Sequence, residues 1–184
     1  MTVPDKTVIV VMGVAGSGKT TIAQLLAQDR GWKQTEADDL HGPDSVAKMA
    51  AGIPLTDSDR APWLRRICQR IEEPEGNQVV TCSALRRSYR DILQTANARV
   101  RFLHLHGSPD TLASRIGART DHFMPASMLT SQMETLEPLT SDEDGVSIDI
   151  GGTPTEIVQR ALMALDLTAP TASPDAAGCR CRMT

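Results

Sequence analysis

Residues 13–20 have the types and spacing of a phosphate-binding loop. They read GVAGSGKT and match G-x-x-x-x-G-K-[ST] at every fixed position. Glycine allows backbone dihedrals that a Cβ forbids, so successive N–H groups of such a loop can turn inward around an anion. In this pattern Lys19 reaches the β- and γ-phosphates of a nucleoside triphosphate, and the Thr20 hydroxyl ligates Mg²⁺. The alternative is a glycine-rich turn that binds nothing, which the lysine, the threonine and the flanking apolar run disfavour.

The loop and a pair of arginines are the candidate nucleotide contacts. The expected loop contacts are Gly13, Val14, Ala15, Gly16, Ser17, Gly18, Lys19 and Thr20. Arg115 and Arg119 are four residues apart, so on a helix they share one face. Two like charges at this spacing repel mildly unless an anion lies between them. We therefore expect Arg115 to contact the triphosphate and Arg119 to act on the transferred phosphoryl group from a closing lid.

Asp38 and Asp39 follow a predicted second strand at its carboxyl end. In open α/β sheets that edge faces the ligand crevice. Asp38 could therefore accept a hydroxyl proton, orient the attacking oxygen or support Mg²⁺, whereas a solvated helix cap is the alternative on position alone. The third predicted strand ends without an aspartate, which holds the metal in many phosphate-loop enzymes. The acidic role consequently falls on Asp38.

Further polar residues near the predicted crevice are candidates for contacts with a second substrate. His41 could donate to a polar substrate or pack at the turn, and the residues alone favour neither. Arg86 and Arg87 come at a predicted helix start, where the helix dipole disfavours positive charge. Such placement indicates an anion nearby, although ordinary surface arginines would look the same.

Strands and helices alternate along the chain, which predicts an α/β fold with a mainly parallel central sheet flanked by helices. The predicted strands are 7–12, 33–37, 78–82, 100–105 and 146–150. The predicted helices are 19–31, 44–51, 57–73, 86–96, 109–118, a short one from 125, and 155–165. We expect one domain over 1–167 with a lid excursion at about 120–145. The small, polar and Pro-containing residues 168–184 predict a disordered tail.

Composition is that of an ordinary globular protein, with 40% hydrophobic and 23% charged residues among 184. A net charge of −4 argues against a general nucleic-acid binder. Cys68 and Cys82 are isolated among apolar neighbours and are expected to be reduced packing residues, while the Cys179–Cys181 pair lacks the partners of a zinc site. The first apolar run is too short to span a membrane, so we expect a cytoplasmic protein.

From residue 8 to about 165 the chain resembles the gluconokinases, small phosphate-loop enzymes that phosphorylate D-gluconate. The motifs that carry the resemblance are GVAGSGKT at 13–20, ADDLH at 37–41, KM at 48–49, GIPLTD at 52–57, DRAPWL at 59–64, CSAL at 82–85, YRD at 89–91, AR at 118–119, HFMP at 122–125, Gln132, and TLE at 135–137. The loop alone indicates only a nucleotide-binding protein. The combination with the aspartate, tryptophan and cysteine motifs is far more specific.

The resemblance implies a nucleoside monophosphate kinase type of fold with a mobile lid, ATP and Mg²⁺ as co-substrate and metal, and 6-phospho-D-gluconate as product. It also suggests a homodimer. Asp38 would orient or deprotonate the 6-hydroxyl, Lys19 and Arg119 would balance charge on the moving phosphoryl group, and Thr20 and Asp38 would hold the metal. The expected substrate contacts are Asp38, His41, Arg60, Arg86, Arg90 and His122, with Arg86 and Arg90 as candidates for the substrate carboxylate.

The chain departs from the family pattern at Gly42, at Arg86 where lysine is usual, and at Asp121, which adds a negative charge to the lid. Two alternatives remain. A kinase for another acceptor is one, although the Gly-Gly-Gly of shikimate kinases does not follow the third strand and nucleoside monophosphate kinases have a longer lid. A nucleotide-binding relative that has lost catalysis is the other.

Overall fold

The computed structural model describes residues 6–73, 75–118 and 126–168. Its strands form one five-stranded sheet in the order β2-β3-β1-β4-β5, and every neighbouring pair is parallel. The strands are β1 (Thr7–Met12), β2 (Lys33–Glu36), β3 (Gln78–Thr81), β4 (Arg99–His106) and β5 (Gly145–Asp149). Because all strands run the same way, their carboxyl ends meet at one edge, with the end of β1 at its centre.

Helices cover both faces of this sheet. They are α1 (Lys19–Arg30), α2 (Pro43–Ala50), α3 (Asp57–Glu72), α4 (Arg87–Leu93), α5 (Pro109–Gly117), α6 (Ala126–Thr135) and α7 (Pro154–Ala164), with a 3₁₀ turn at Ala37–Leu40. The predicted fold class is confirmed, and the predicted bounds agree to within one residue except at the end of α4. That helix stops at Leu93 because Thr95 turns back, its hydroxyl and its N–H both donating to Ile92 O.

The central strand is buried on both faces, as its continuous apolar run predicts. Val8, Val10 and Met12 join one apolar cluster and Ile9 and Val11 the other. The first cluster takes in the buried side of α3, and the second takes in α1 and α7. This arrangement fixes the carboxyl end of β1, and hence the loop that follows it, between two packed layers.

The start of α3 is fixed locally by its own sequence. The Thr56 hydroxyl accepts from the Asp59 N–H, and the Asp59 carboxylate accepts from the Thr56 N–H, which is a complete capping box. The predicted start of this helix at 57 is therefore explained by the Thr56 cap.

The described part of the predicted lid region packs on the body of the protein. Leu129 of α6 is buried in the same apolar cluster as α1. Beyond α6, the Glu137 N–H donates to Leu85 O at 2.8 Å, and the Phe102 N–H donates to Asp144 O at 2.9 Å. Residues 119–125 and 169–184 lie outside the described residues, so the lid over 120–145 and the disordered tail stay predictions. We find no membrane-crossing helix in the ranges that the structure covers.

Candidate active site

The loop at 13–20 lies at the carboxyl end of β1 and has the conformation that its glycines permit. Gly13, Gly16 and Gly18 have φ of +140°, +78° and +87°. A Cβ on Gly13 would come within 2.5 Å of Leu105 O, and one on Gly16 within 2.7 Å of Leu112 O. Both the dihedrals and the close approach to neighbouring backbone therefore exclude other residues.

The inside of this loop is suited to an anion. The Ser17 side chain is fully buried, and its hydroxyl has no hydrogen-bond partner within the described residues. Helix α1 begins at Lys19 without a side-chain cap, so its first N–H groups face the loop. The Lys19 ammonium donates to Val14 O at 3.2 Å, inside the same loop. A phosphate group would supply the acceptors that these donors require.

Arg115 is positioned beside the loop. Its Nη2 donates to Ile150 O at 2.7 Å, and its Nη1 is 3.7 Å from where a Cβ on Gly18 would stand. The guanidinium thus lies next to the predicted phosphate site. Helix α5 ends at Gly117, and the other predicted lid residues, Arg119 and His122, lie outside the described residues along with Asp121.

The predicted acidic residue sits on the 3₁₀ turn after β2, which α3 holds in place. Trp63 Nε1 donates to Ala37 O at 2.7 Å, and Arg66 Nη1 donates to Leu40 O at 2.8 Å. Gly42 leaves room for this guanidinium, since a Cβ there would come within 3.0 Å of Arg66 Nη2. The Asp38 carboxylate itself is exposed, as expected of a group that must meet a substrate.

Cys82, directly after β3, has a buried thiol that is influenced by the charges of both Asp38 and Lys19. Burial raises the pKa of this thiol to about 12, against a hydrogen bond involving the Ala84 backbone. The Asp38 carboxylate raises this pKa further and the Lys19 ammonium lowers it. Because β3 lies between β1 and β2 and all three strands are parallel, the loop after β1 and the turn after β2 lie at the same edge of the sheet. The high pKa also removes Cys82 as a nucleophile.

His41 is held in a fixed orientation as a neutral imidazole. Its ring stacks on Trp63 with centroids 4.3 Å apart and planes 9° from parallel. Burial lowers its pKa below the ordinary 6.5, with Asp38 acting in the opposite direction. Nδ1 is buried without a hydrogen-bond partner in the described part of the chain. The ring of His41 therefore packs at the turn, and its predicted contact with a polar substrate stays a prediction.

Two arginines, a tyrosine and an aspartate form a polar cluster between the starts of α3 and α4. Tyr89 OH donates to Asp57 Oδ1 at 2.6 Å, and Arg86 Nη1 lies 2.9 Å from Asp57 Oδ2. Both guanidiniums lie near the Tyr89 ring, that of Arg60 at 5.7 Å and that of Arg86 at 5.9 Å from its centroid. Arg60 Nη1 also donates to Leu55 O at 2.6 Å. The tyrosine bond, ahead of the arginine charges, lowers the pKa of Asp57.

The position of the arginines at the start of α4 indicated an anion nearby. The structure shows that carboxylates of the protein itself are these anions. Arg86 pairs with Asp57, while Arg87 pairs with Asp91 at 2.8 Å and with Asp142 at 2.9 Å. Arg86 and Arg60 remain partly exposed at the sheet edge, so their predicted substrate contacts stay predictions.

The prediction that Arg90 binds the substrate carboxylate is wrong in this structure. Its side chain is fully buried, and its Nε and Nη2 lie 2.5 and 3.0 Å from the two oxygens of Glu143, which is also buried. Nη1 donates to Ala84 O at 3.2 Å and to Glu137 O at 3.0 Å. A guanidinium satisfied in this way has a structural function, joining the loop after β3 to the segment after α6.

Sequence reasoning missed several residues that build this site. They are Asp57, Tyr89, Trp63 and Gln132. Asp57 and Trp63 lie within two motifs of the family resemblance, at 52–57 and 59–64, to which no individual contacts other than that of Arg60 were assigned. In the structure Asp59 pairs with Lys48 at 2.6 Å. The start of α3 contains more polar residues than its cap requires, and this excess is the signal that could have identified Asp57 as a site residue.

The predicted metal residues offer few protein oxygens. Thr20 lies in the first turn of α1 and Asp38 on the 3₁₀ turn, and both are exposed. In the ranges described, no group of three or more His, Cys, Asp or Glu is suited to a metal ion. This donor set fits Mg²⁺, which usually keeps several waters and binds through substrate phosphates and one or two protein groups.

Comparisons with known proteins agree with this geometry. A family model described as an AAA domain matches residues 8–139. A gluconokinase of Gluconobacter oxydans strain 621H is 47% identical over 145 residues, which cover 76% of this chain and 80% of that protein. The crystal structure of a gluconokinase from Sinorhizobium meliloti 1021 superposes with a TM-score of 0.81 at 45% identity, covering 87% of this chain and 91% of that one.

The shikimate kinase alternative has weaker support. The structure of shikimate kinase from Aquifex aeolicus vf5 superposes with a TM-score of 0.55 at 15% identity, and this likeness shows the fold alone. The gluconokinases of Gluconobacter oxydans and Sinorhizobium meliloti instead share 47% and 45% identity over 76% and 87% of this chain. The chain belongs to the gluconokinase family of phosphate-loop kinases.

Proposed function

We propose that this protein transfers the γ-phosphoryl group of ATP to the 6-hydroxyl of D-gluconate, giving ADP and 6-phospho-D-gluconate. One observation carries the proposal: the phosphate loop and the Asp38–His41 turn share one sheet edge in a chain that belongs to the gluconokinase family. The loop supplies one substrate site and the turn supplies a carboxylate for the other.

The nucleotide half of the site uses the loop, the start of α1 and Arg115. Inward N–H groups and Lys19 bind the phosphates, where a preorganised array is most effective at stabilising developing charge. Arg115 adds a cation beside Gly18. Thr20 and Asp38 would hold Mg²⁺, which when bound would neutralise charge on the phosphate oxygens. Arg119 would contribute a further cation from the lid.

The acceptor half of the site is built on the turn after β2 and the polar cluster beside it. The Asp38 carboxylate is exposed, so it can accept the hydroxyl proton of the acceptor. The neutral His41 can exchange hydrogen bonds with a polyol. Arg86 and Arg60 offer cations for the carboxylate of a sugar acid, and His122 would add a contact from the lid.

The first test is ADP release from purified protein with Mg·ATP, with and without D-gluconate. Strong dependence on gluconate is the expected result. A panel containing shikimate and nucleoside monophosphates serves as the control, and turnover confined to one of those acceptors would overturn the assignment. Nucleotide binding without turnover on any acceptor would identify a relative that has lost catalysis. A Lys19→Met variant supplies the background rate.

Two further parts of the proposal rest on the family resemblance. We propose that the protein acts in the cytoplasm and forms a homodimer. Sedimentation velocity of the purified chain tests the second point, since a single species of monomer mass would exclude a stable dimer.

A further inference from the structure

The peptide group between Val14 and Ala15 in the phosphate loop is hydrogen-bonded through both its C=O and its N–H. On one side, Val14 O accepts from the Ser17 N–H at 3.3 Å and from Lys19 Nζ at 3.2 Å. On the other, the Ala15 N–H donates to Gln132 Oε1 at 2.7 Å. Because a trans peptide places its C=O and N–H on opposite sides of one plane, these bonds together fix how that plane is turned.

The orientation of this plane determines where Lys19 and the turn around Ser17 are held. Ala15 is 8% exposed, so its N–H has little access to water. Without the Gln132 oxygen, the N–H would be buried and unpaired, which native structures avoid. Rotation of the peptide toward another acceptor would move Val14 O away from Lys19. The N–H groups of the loop that turn inward around the phosphate would then lose their arrangement.

The Gln132 side chain is itself held by parts of the protein other than the nucleotide. Three residues before it, Leu129 is buried in the core. Beyond it, the Glu137 N–H donates to Leu85 O at 2.8 Å, and Glu137 Oε2 accepts from the Arg87 N–H at 2.5 Å. Both flanks of Gln132 are therefore anchored, and the glutamine acts as a fixed strut from α6 to the loop.

We propose that Gln132 is a positioning residue for the phosphate-binding loop, acting through the Ala15 N–H. The inference rests on the nucleotide half of the proposed function and is independent of the acceptor. It assigns α6 a part in nucleotide binding through the hydrogen bond of its glutamine to the loop backbone. Loss of the strut should weaken binding of the phosphates and leave acceptor binding unchanged.

The test is nucleotide affinity in Gln132→Met, which keeps the length of the side chain and removes the acceptor. Affinity for Mg·ADP, measured by isothermal titration calorimetry without acceptor, is expected to fall about fivefold to tenfold, the size of one neutral hydrogen bond. Amide exchange measured by NMR should accelerate at Ala15 and stay unchanged at Val11. The KM for gluconate should not change. Glu134→Gln, at an exposed position on the same helix, is the matched control.

Unchanged ADP affinity together with unchanged Ala15 exchange would overturn the inference. An equal loss in the Glu134→Gln control would also overturn it, because the effect would then belong to the helix rather than to the strut. Should the methionine variant fail to fold, Gln132→Asn retains the polarity while falling short of the loop, and the same readouts apply. ADP affinity that depends on Gln132 in a protein inactive toward gluconate would retain this inference and refute the proposed function alone.

Discussion

At the scale of single residues, the proposed chemistry depends on an exposed carboxylate at a fixed position. Asp38 is carried by a 3₁₀ turn whose backbone is tied to α3 by Trp63 and Arg66. The adjacent Asp39 has the same exposure and the same local backbone. Comparing substitutions of Asp38 and Asp39 therefore distinguishes the effect of a carboxylate at position 38 from the effect of negative charge in general.

Asp38→Asn should lose turnover while retaining nucleotide. The amide keeps the size of the side chain but cannot accept the hydroxyl proton, so kcat is expected to fall by about 100-fold to 10,000-fold. Affinity for Mg·ADP should change by much less, because the loop provides most of the phosphate contacts. Steady-state kinetics with gluconate and calorimetric titration measure the two effects. Asp39→Asn is the control, and equal losses in both variants would remove the assigned role of Asp38.

Arg90 makes the opposite kind of contribution, to stability rather than to chemistry. Removing one partner of a buried ion pair leaves the other charge unpaired, which costs about 3–5 kcal/mol. Arg90→Ala should accordingly lower the melting temperature by about 10 °C in a protein of this size. Urea denaturation measures the loss, and the exposed Arg65→Ala is the control. A large rise in the KM for gluconate without any loss of stability would restore Arg90 as a substrate ligand.

At the scale of secondary structure elements, β4 carries a histidine into the packed sheet. His104 is buried, and its Nδ1 lies 3.2 Å from Ser147 Oγ on β5. Burial lowers its pKa from the ordinary 6.5 to about 4, and the nearby His106 and Arg90 act in the same direction. The strand therefore requires this imidazole to be neutral when the protein is folded.

This histidine predicts a loss of stability in mild acid. Between pH 6.5 and 4 the unfolded chain binds a proton at His104 that the folded chain does not, so the free energy of unfolding falls as pH falls. The full effect by pH 4 is about 3 kcal/mol, and it vanishes above pH 7. Urea denaturation of wild type and His104→Asn from pH 4 to 8 isolates the effect. Parallel pH profiles of the two proteins would contradict the prediction.

At the scale of the whole molecule, what the sequence could predict was set by the distance between interacting residues along the chain. The loop, the start of α3 and the buried first strand each depend on neighbours a few residues apart, so pattern alone predicted them. Arg90 and Glu143 are 53 residues apart, and Ala15 and Gln132 are 117 apart. Nothing in the local pattern distinguishes a buried, paired arginine from one that meets a substrate.

The same reasoning explains which parts of the candidate site were found. Lys19, Asp38 and His41 follow strands directly, and parallel strands bring their carboxyl ends together whatever their order. The cluster of Asp57, Tyr89 and the arginines instead depends on how α3 meets α4. That contact follows from the packing of the buried side of α3 beneath the sheet, which no single segment specifies.

The phosphate loop follows the central strand of the sheet, so the proposed nucleotide site predicts linkage between nucleotide binding and global stability. A ligand that binds only the folded state at 100 times its dissociation constant stabilises that state by about 2.7 kcal/mol. For a chain of this size, saturating Mg·ADP should therefore raise the melting temperature by about 5–10 °C. Differential scanning calorimetry over a series of ADP concentrations tests this, and the rise should follow the logarithm of concentration. Lys19→Met should show a much smaller shift, because the ammonium contributes to phosphate binding and its loss lowers the affinity. An equal shift in wild type and variant would indicate that the nucleotide binds elsewhere, and the loop at 13–20 would lose its assigned role.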